Sequence, residues 1–157
     1  MRLTVLCFTL AGILALLGCG NSNQVKPVNL SGNWTATLQK TSGGTAFSFT
    51  TSLTEVGGTV LNVSNLTFNP ASSCFQSGTT ASGVVQFSGG GGYGYYTGGG
   101  GTTAMSLTVK GLSSGGGSNT LNLQGTVNPD RSISGTWTLN GVSVNCSGSG
   151  GFTMIRS

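Results

Sequence analysis

Few side chains in this sequence can do chemistry, and their types narrow it quickly. There is no histidine, and the acids number 2, Glu55 and Asp130. General acid–base catalysis wants a group titrating near neutrality, usually His or a carboxylate tuned by its neighbours. Glu55 and Asp130 both stand beside turn sequences, Gly57-Gly58 and Asn128-Pro129, where a carboxylate ordinarily faces solvent. Glycoside hydrolysis would have to build its carboxylate pair from these two alone. Serine is abundant, but no base stands ready to activate one. The 4 cysteines could offer thiolates to a metal, yet without His the ligand set is short, so no metal and no other cofactor is expected. Residues 89–101 are two runs of glycine interrupted by Tyr93, Tyr95 and Tyr96. No helix follows to present its N-terminus to a phosphate. The segment is either a surface loop or an adaptable aromatic contact surface, in which glycine lets the tyrosine rings reorient. The residues therefore point to a protein that is not an enzyme.

The most informative stretch is Leu16-Leu17-Gly18-Cys19. It follows Arg2 and an apolar run over residues 3–17, and it is followed at once by the polar residues 20–24. The run is shorter than the ~20 residues a spanning helix needs, so it reads as the core of a signal peptide. The tetrad resembles the lipobox of bacterial lipoproteins. That resemblance implies a diacylglyceryl thioether on the Cys19 thiol, cleavage after Gly18 and often acylation of the new amino terminus. Residues 1–18 are then a signal peptide, 19–28 a lipidated tether and 29–157 the folded domain. The partner implied is the membrane itself, reached through the lipid anchor. Gly20 stands where some family members carry the Asp that retains them in the inner membrane, so the outer membrane is favoured. The alternative is an ordinary secretory signal with a coincidental Cys19. With Cys7 in the discarded segment and Cys19 taken by lipid, Cys74 and Cys146 remain as one disulfide pair in an oxidising compartment. Closing a loop of roughly 70 residues could contribute ~4 kcal/mol.

Composition agrees with an exported β-domain. Only 5% of the 157 residues are charged while Gly numbers 29, so the solvent face must be built from neutral Ser, Thr, Asn and Gln. The net charge of +4 includes Arg2, and the other cations, Lys26, Lys40, Lys110, Arg131 and Arg156, are scattered. No basic patch forms, which argues against nucleic-acid binding.

The elements that must position these residues are strands. From residue 29 to 40, Leu30, Gly32, Trp34, Ala36 and Leu38 alternate with polar residues, the period of a half-buried strand. Ser42-Gly43-Gly44 turns the chain into a second strand carrying Phe47, Phe49, Thr51 and Leu53, and Gly57-Gly58 turns it into a third, whose phase shifts near Ser64-Asn65 as at a bulge. After a long polar loop with Cys74 and Phe75, short strands are expected over 83–88, around Met105-Leu107-Val109, around Leu121-Leu123-Val127 and over 133–139. Residues 111–118 read as a flexible turn. Asn140-Gly141 is the strongest hairpin signal in the chain. A last strand or strand pair runs from Val142 to Arg156, interrupted by residues 147–151. No helical period appears after Cys19. The fold is all-β, about eight antiparallel strands, arranged as an up-and-down barrel or a β-sandwich.

Ser31-Gly32-Asn33-Trp34-Thr35 is echoed by Ser134-Gly135-Thr136-Trp137-Thr138, with each Gly making room for a large ring across the sheet. The first copy resembles the Gly-x-Trp of calycins, the eight-stranded barrels that include lipocalins and avidins. The resemblance implies a closed barrel with Arg156 of the last strand lying across Trp34. Ala36 stands where avidins hold biotin with Asn, so biotin binding is not implied. In an up-and-down barrel the tether, Gly57-Gly58, the Gly/Tyr segment and residues 128–131 share one end, while the Cys74 loop and Asn140-Gly141 share the other. The Cys74 loop would then be either a pocket wall or a plug. Two functions remain. One is binding of a small apolar or glycan ligand, inside the barrel among Phe47, Phe49, Leu107 and Trp137 or against the tyrosines. The other is a structural or adhesive envelope protein with no small-molecule ligand.

Overall fold

The computed structural model describes residues 24–25, 28–69, 73–76, 79–88, 96–97, 102–112 and 117–157. Eight strands make the domain: β1 (Gly32–Lys40), β2 (Thr45–Val56), β3 (Val60–Asn69), β4 (Thr80–Ser88), β5 (Thr102–Leu112), β6 (Ser118–Val127), β7 (Ile133–Asn140) and β8 (Gly148–Arg156). Each pairs antiparallel with the next in sequence, and β8 pairs with β1, so the sheet closes into a barrel and the sandwich alternative is set aside. The alternation is what fixes the inner face. Trp34, Ala36 and Leu38 of β1, Leu121 and Leu123 of β6, and Phe152 and Met154 of β8 are buried, with exposed or half-buried polar residues between them. A two-residue ribbon, Gln24–Val25 against Tyr96–Thr97, lies apart from the barrel sheet.

The expected turns at Ser42-Gly43-Gly44 and Gly57-Gly58 are present, with all four glycines at positive φ. The phase shift in β3 is a bulge. The β2–β3 register slips between Thr50 and Ser52, and Asn65 takes φ 52.

Three expectations are corrected. Asn140-Gly141 is not a two-residue hairpin. Asn140 still pairs with Thr120, and the chain then runs through a 3-10 turn, Val144–Cys146, before β8. Gly141 is there for closeness and not for turn geometry: a Cβ on it would lie 2.3 Å from Asn119 Oδ1 and from the Cys146 carbonyl oxygen. Residues 148–151 do not interrupt the last strand but begin it, because a backbone ladder needs no side chains. Gly150 is required where it stands, since its Cβ would fall 1.8 Å from the Gln39 carbonyl oxygen. Gly111 and Leu112, read as turn, finish β5 by pairing with Asn119 and Ser118.

One seam of the barrel is short. β3 and β4 share three register pairs, Val60 with Val84, Leu61 with Gly83 and Asn62 with Ser82, whereas β4 and β5 share nine. Beyond Asn62 the two strands diverge, and the Cys74 loop bridges the gap. Phe75 stacks on Phe68 of β3 with ring centroids 4.7 Å apart, and the Gln76 N–H donates to the Leu112 carbonyl at the end of β5.

Candidate functional site

A barrel can hold a ligand in its interior, at either mouth or on its outer wall, and each place is occupied differently here. At the end where the chain enters, the segment before β1 folds over the opening. Leu30 is fully buried, and its carbonyl accepts a 2.9 Å hydrogen bond from Trp34 Nε1. Its own N–H donates to Glu55 Oε2 at 3.2 Å, while the Glu55 N–H donates to Ser31 Oγ at 3.0 Å. Glu55 is thus half-buried and engaged in fixing the entry segment, where the sequence suggested a solvated turn residue. The Arg156 guanidinium lies 5.3 Å from the Trp34 ring centroid and donates to the Asn29 carbonyl. Gly32 sits at φ +142, a conformation side chains rarely adopt, and this calls for glycine, since an added Cβ would meet Arg156 Nε only at an ordinary 3.5 Å.

The second Gly-x-Trp works differently from the expectation. Gly135 faces Gly125 across the β6–β7 pair, and a Cβ on it would lie 2.0 Å from the Gln124 carbonyl oxygen. It permits a close backbone approach and makes no room for Trp137. The ring that crowds this region is Phe152, whose Cζ would lie 2.7 Å from a Cβ on Gly125.

At the opposite end Cys74 and Cys146 form a disulfide, with their Cα atoms 5.5 Å apart. Asn119, fully buried at the start of β6, ties the same two loops together. Its Nδ2 donates to the Cys74 carbonyl at 2.7 Å, and its Oδ1 accepts from the Val142 N–H at 3.2 Å. Phe75 follows Cys74 and is buried over Gly111, where an added Cβ would come within 2.9 Å of the ring. The contacts of Phe75 with Phe68 and Gly111, and of Gln76 with Leu112, set the loop into the wall between β3 and β5 at this end.

Between the two ends the described core side chains pack on one another. The rings of Phe47 and Trp137 meet edge to face at 5.8 Å, Phe47 meets Phe68 at 5.8 Å, and Phe49 meets Phe68 at 5.6 Å. Phe49 and Leu107 are each 0% exposed, so no space large enough for water touches either, from inside or outside. Trp137 Nε1 is satisfied by the Gln39 carbonyl at 2.9 Å, so the indole offers no free donor to a ligand. The Thr103 hydroxyl is buried with no hydrogen-bond partner, but at 0% exposure it too faces no open space.

On the outer wall a shallow depression of about 240 Å³ lies over β4, β5 and β6, lined by Gln86, Ala104, Met105, Ser106, Gln124 and Gly125. Its rim is neutral amide and hydroxyl, with no charge.

The two carboxylates do not form a pair. Glu55 is on β2 and Asp130 on the β6–β7 connection, four strands round an eight-stranded ring and so on opposite sides of it. The Asp130 carboxylate accepts from the Ser132 hydroxyl at 2.6 Å and the Ser132 N–H at 2.9 Å, and these bonds hold its pKa below the ordinary carboxylate value. Among the described residues no three His, Cys, Asp or Glu side chains come together as a metal site.

Cys19, Tyr93 and Tyr95 lie outside the described residues, and of Tyr96 only the backbone pairing with Val25 is described. The residues that the sequence reading missed are Leu30 as a stopper and Asn119 as a clamp. Asn119 shares the inward phase of Leu121 and Leu123, and a polar residue in an apolar phase was the available signal. The chain matches no protein-family model, no curated protein and no solved structure.

Proposed function

We propose that this is a lipid-anchored protein of the bacterial cell envelope, favouring the outer membrane, whose barrel is a non-catalytic structural or adhesive scaffold that acts through its outer surface. One observation carries the choice of scaffold over carrier: of the residues that were to line an interior pocket, Phe47 packs edge to face on Trp137 and Phe49 and Leu107 are wholly buried. Leu30 at the entry end and Phe75 at the other are both buried. Anchoring rests on Leu16-Leu17-Gly18-Cys19, and an oxidising compartment is in keeping with the Cys74–Cys146 disulfide. The absence of histidine from the sequence and the separation of Glu55 from Asp130 support a protein that does no acid–base chemistry.

Two measurements test this reading. Cys19→Ala should leave an uncut precursor that takes up no labelled palmitate, and normal processing and labelling of that variant would refute lipidation. Native mass spectrometry of the mature protein should give the bare polypeptide plus its lipid. A stoichiometric apolar molecule that survives delipidation would refute the packed scaffold. A second reading, recognition of a neutral glycan, is favoured by the amide and hydroxyl rim of the outer depression. Gln86→Ala/Gln124→Ala should then abolish binding to an immobilised neutral polysaccharide.

A further inference from the structure

The described residues include six exposed large hydrophobic side chains, and three of them stand in one row. Val56 at the end of β2 pairs with Val60 at the start of β3, and Val60 pairs with Val84 of β4. Directly opposed residues on one face of a sheet carry their Cβ atoms about 5 Å apart, so the three side chains form a continuous ridge across three strands. They are 48%, 45% and 42% exposed. Isolated surface valines need no explanation, but an uninterrupted cross-strand row of three does, on a surface whose other exposed large hydrophobics, Leu112, Val142 and Ile155, stand elsewhere.

The position of the ridge indicates what covers it. Glu55, the residue before Val56, is hydrogen-bonded to Leu30 and Ser31, the last residues before β1. The chain from the amino terminus therefore enters the barrel beside the Val56–Val60 hairpin. Further out, Gln24–Val25 pairs with Tyr96–Thr97 of the β4–β5 connection. Ten residues separate Cys19 from Leu30, and even fully extended they span at most about 35 Å. A bilayer holding the Cys19 acyl chains is thus within reach of the ridge at all times, and a short tether makes even a weak contact effective.

We propose that the Val56–Val60–Val84 ridge is a membrane-contact surface that lays the tether side of the barrel on the lipid surface. This rests on the lipid-anchor reading. It predicts an oriented domain, with the Cys74–Cys146 end facing away from the bilayer.

The test uses the full lipidated protein reconstituted in vesicles of phosphatidylethanolamine and phosphatidylglycerol, with flotation scored first and amide hydrogen exchange second. In vesicles, exchange over residues 54–62 should slow by roughly fivefold or more relative to detergent micelles, which corresponds to contact for about four-fifths of the time. Exchange at the Thr41–Gly44 turn on the other end should not change. Val56→Ser/Val60→Ser/Val84→Ser should still float but lose the protection, and Val60→Ser alone should lose part of it if the triple variant folds poorly. Flotation with no protection at residues 54–62 overturns the membrane contact and leaves the anchor standing. Failure of the wild-type protein to float overturns both. Protection that is equal in micelles and rises with protein concentration assigns the ridge to a second copy of the chain and overturns the proposal.

Discussion

The Cys74–Cys146 disulfide should be a large contribution to this domain's stability, and its removal tests whether that contribution comes from the unfolded chain. The bridge joins residues 72 apart in sequence. In the chain-entropy treatment, releasing a loop of that length returns enough freedom to the unfolded chain to lower stability by about 4 kcal/mol. For a domain of about 130 residues this is a fall in Tm of roughly 15 °C. The perturbation is Cys74→Ala/Cys146→Ala, which removes both sulfurs without adding a polar group to a buried site. The assay is urea unfolding of the mature chain followed by tryptophan fluorescence. Trp34 and Trp137 are both buried and so report the whole barrel. The unfolded state loses its cross-link and expands, so the slope with urea should rise as the midpoint falls, and the comparison must be made on extrapolated free energies. A loss below about 1 kcal/mol would refute the reasoning, because it would mean that the unfolded chain gains little freedom when the bridge is released.

Asn119→Ala should lower stability by about 2–3 kcal/mol, since it removes the buried bonds to the Cys74 carbonyl and from the Val142 N–H, and thermal unfolding measures this. Two glycines separate close approach from mere tolerance. Gly135→Ala, whose Cβ would press into the Gln124 carbonyl, should cost about 3 kcal/mol or prevent folding. Gly151→Ala, which meets only the Gly135 carbonyl oxygen at 3.7 Å, should change stability by less than about 1 kcal/mol. Asp130 has its carboxyl pKa lowered in the folded state, so its contribution is present above the ordinary carboxylate value and is lost as pH falls through the lower folded value. NMR titration should give Asp130 a midpoint below 3.8 that returns toward it in Ser132→Ala, and an ordinary midpoint in the wild-type protein would contradict the observed hydrogen bonds.

Much of the barrel is legible because strand alternation is a local property. Trp34-x-Ala36-x-Leu38 and Leu121-x-Leu123 announce a strand and its buried face within five residues, whatever the rest of the chain does. Counting hairpins then places the Cys74 and Cys146 loops at one end, and the disulfide is found there. Glycine was misread more often than any other residue. Gly111, Gly141 and Gly148–Gly151 look like turn signals, yet each serves a strand or a close approach whose partner lies elsewhere in the chain. The sequence cannot show that a missing side chain is missing because another backbone needs the space.

By itself, then, the sequence determined an all-β domain of about eight strands, the inward face of most of them and a pair of cysteines able to meet. Closure was decided elsewhere. It depends on β8 finding β1 across the whole length of the domain, a pairing whose register no local pattern encodes. Occupancy of the interior was also a tertiary matter. Whether Phe47, Phe49, Leu107 and Trp137 line a cavity or fill it depends on how far apart the walls stand and on what Leu30 and Phe75 do at the two ends. Those are distances between residues remote in sequence, set by the packing of the whole barrel at once.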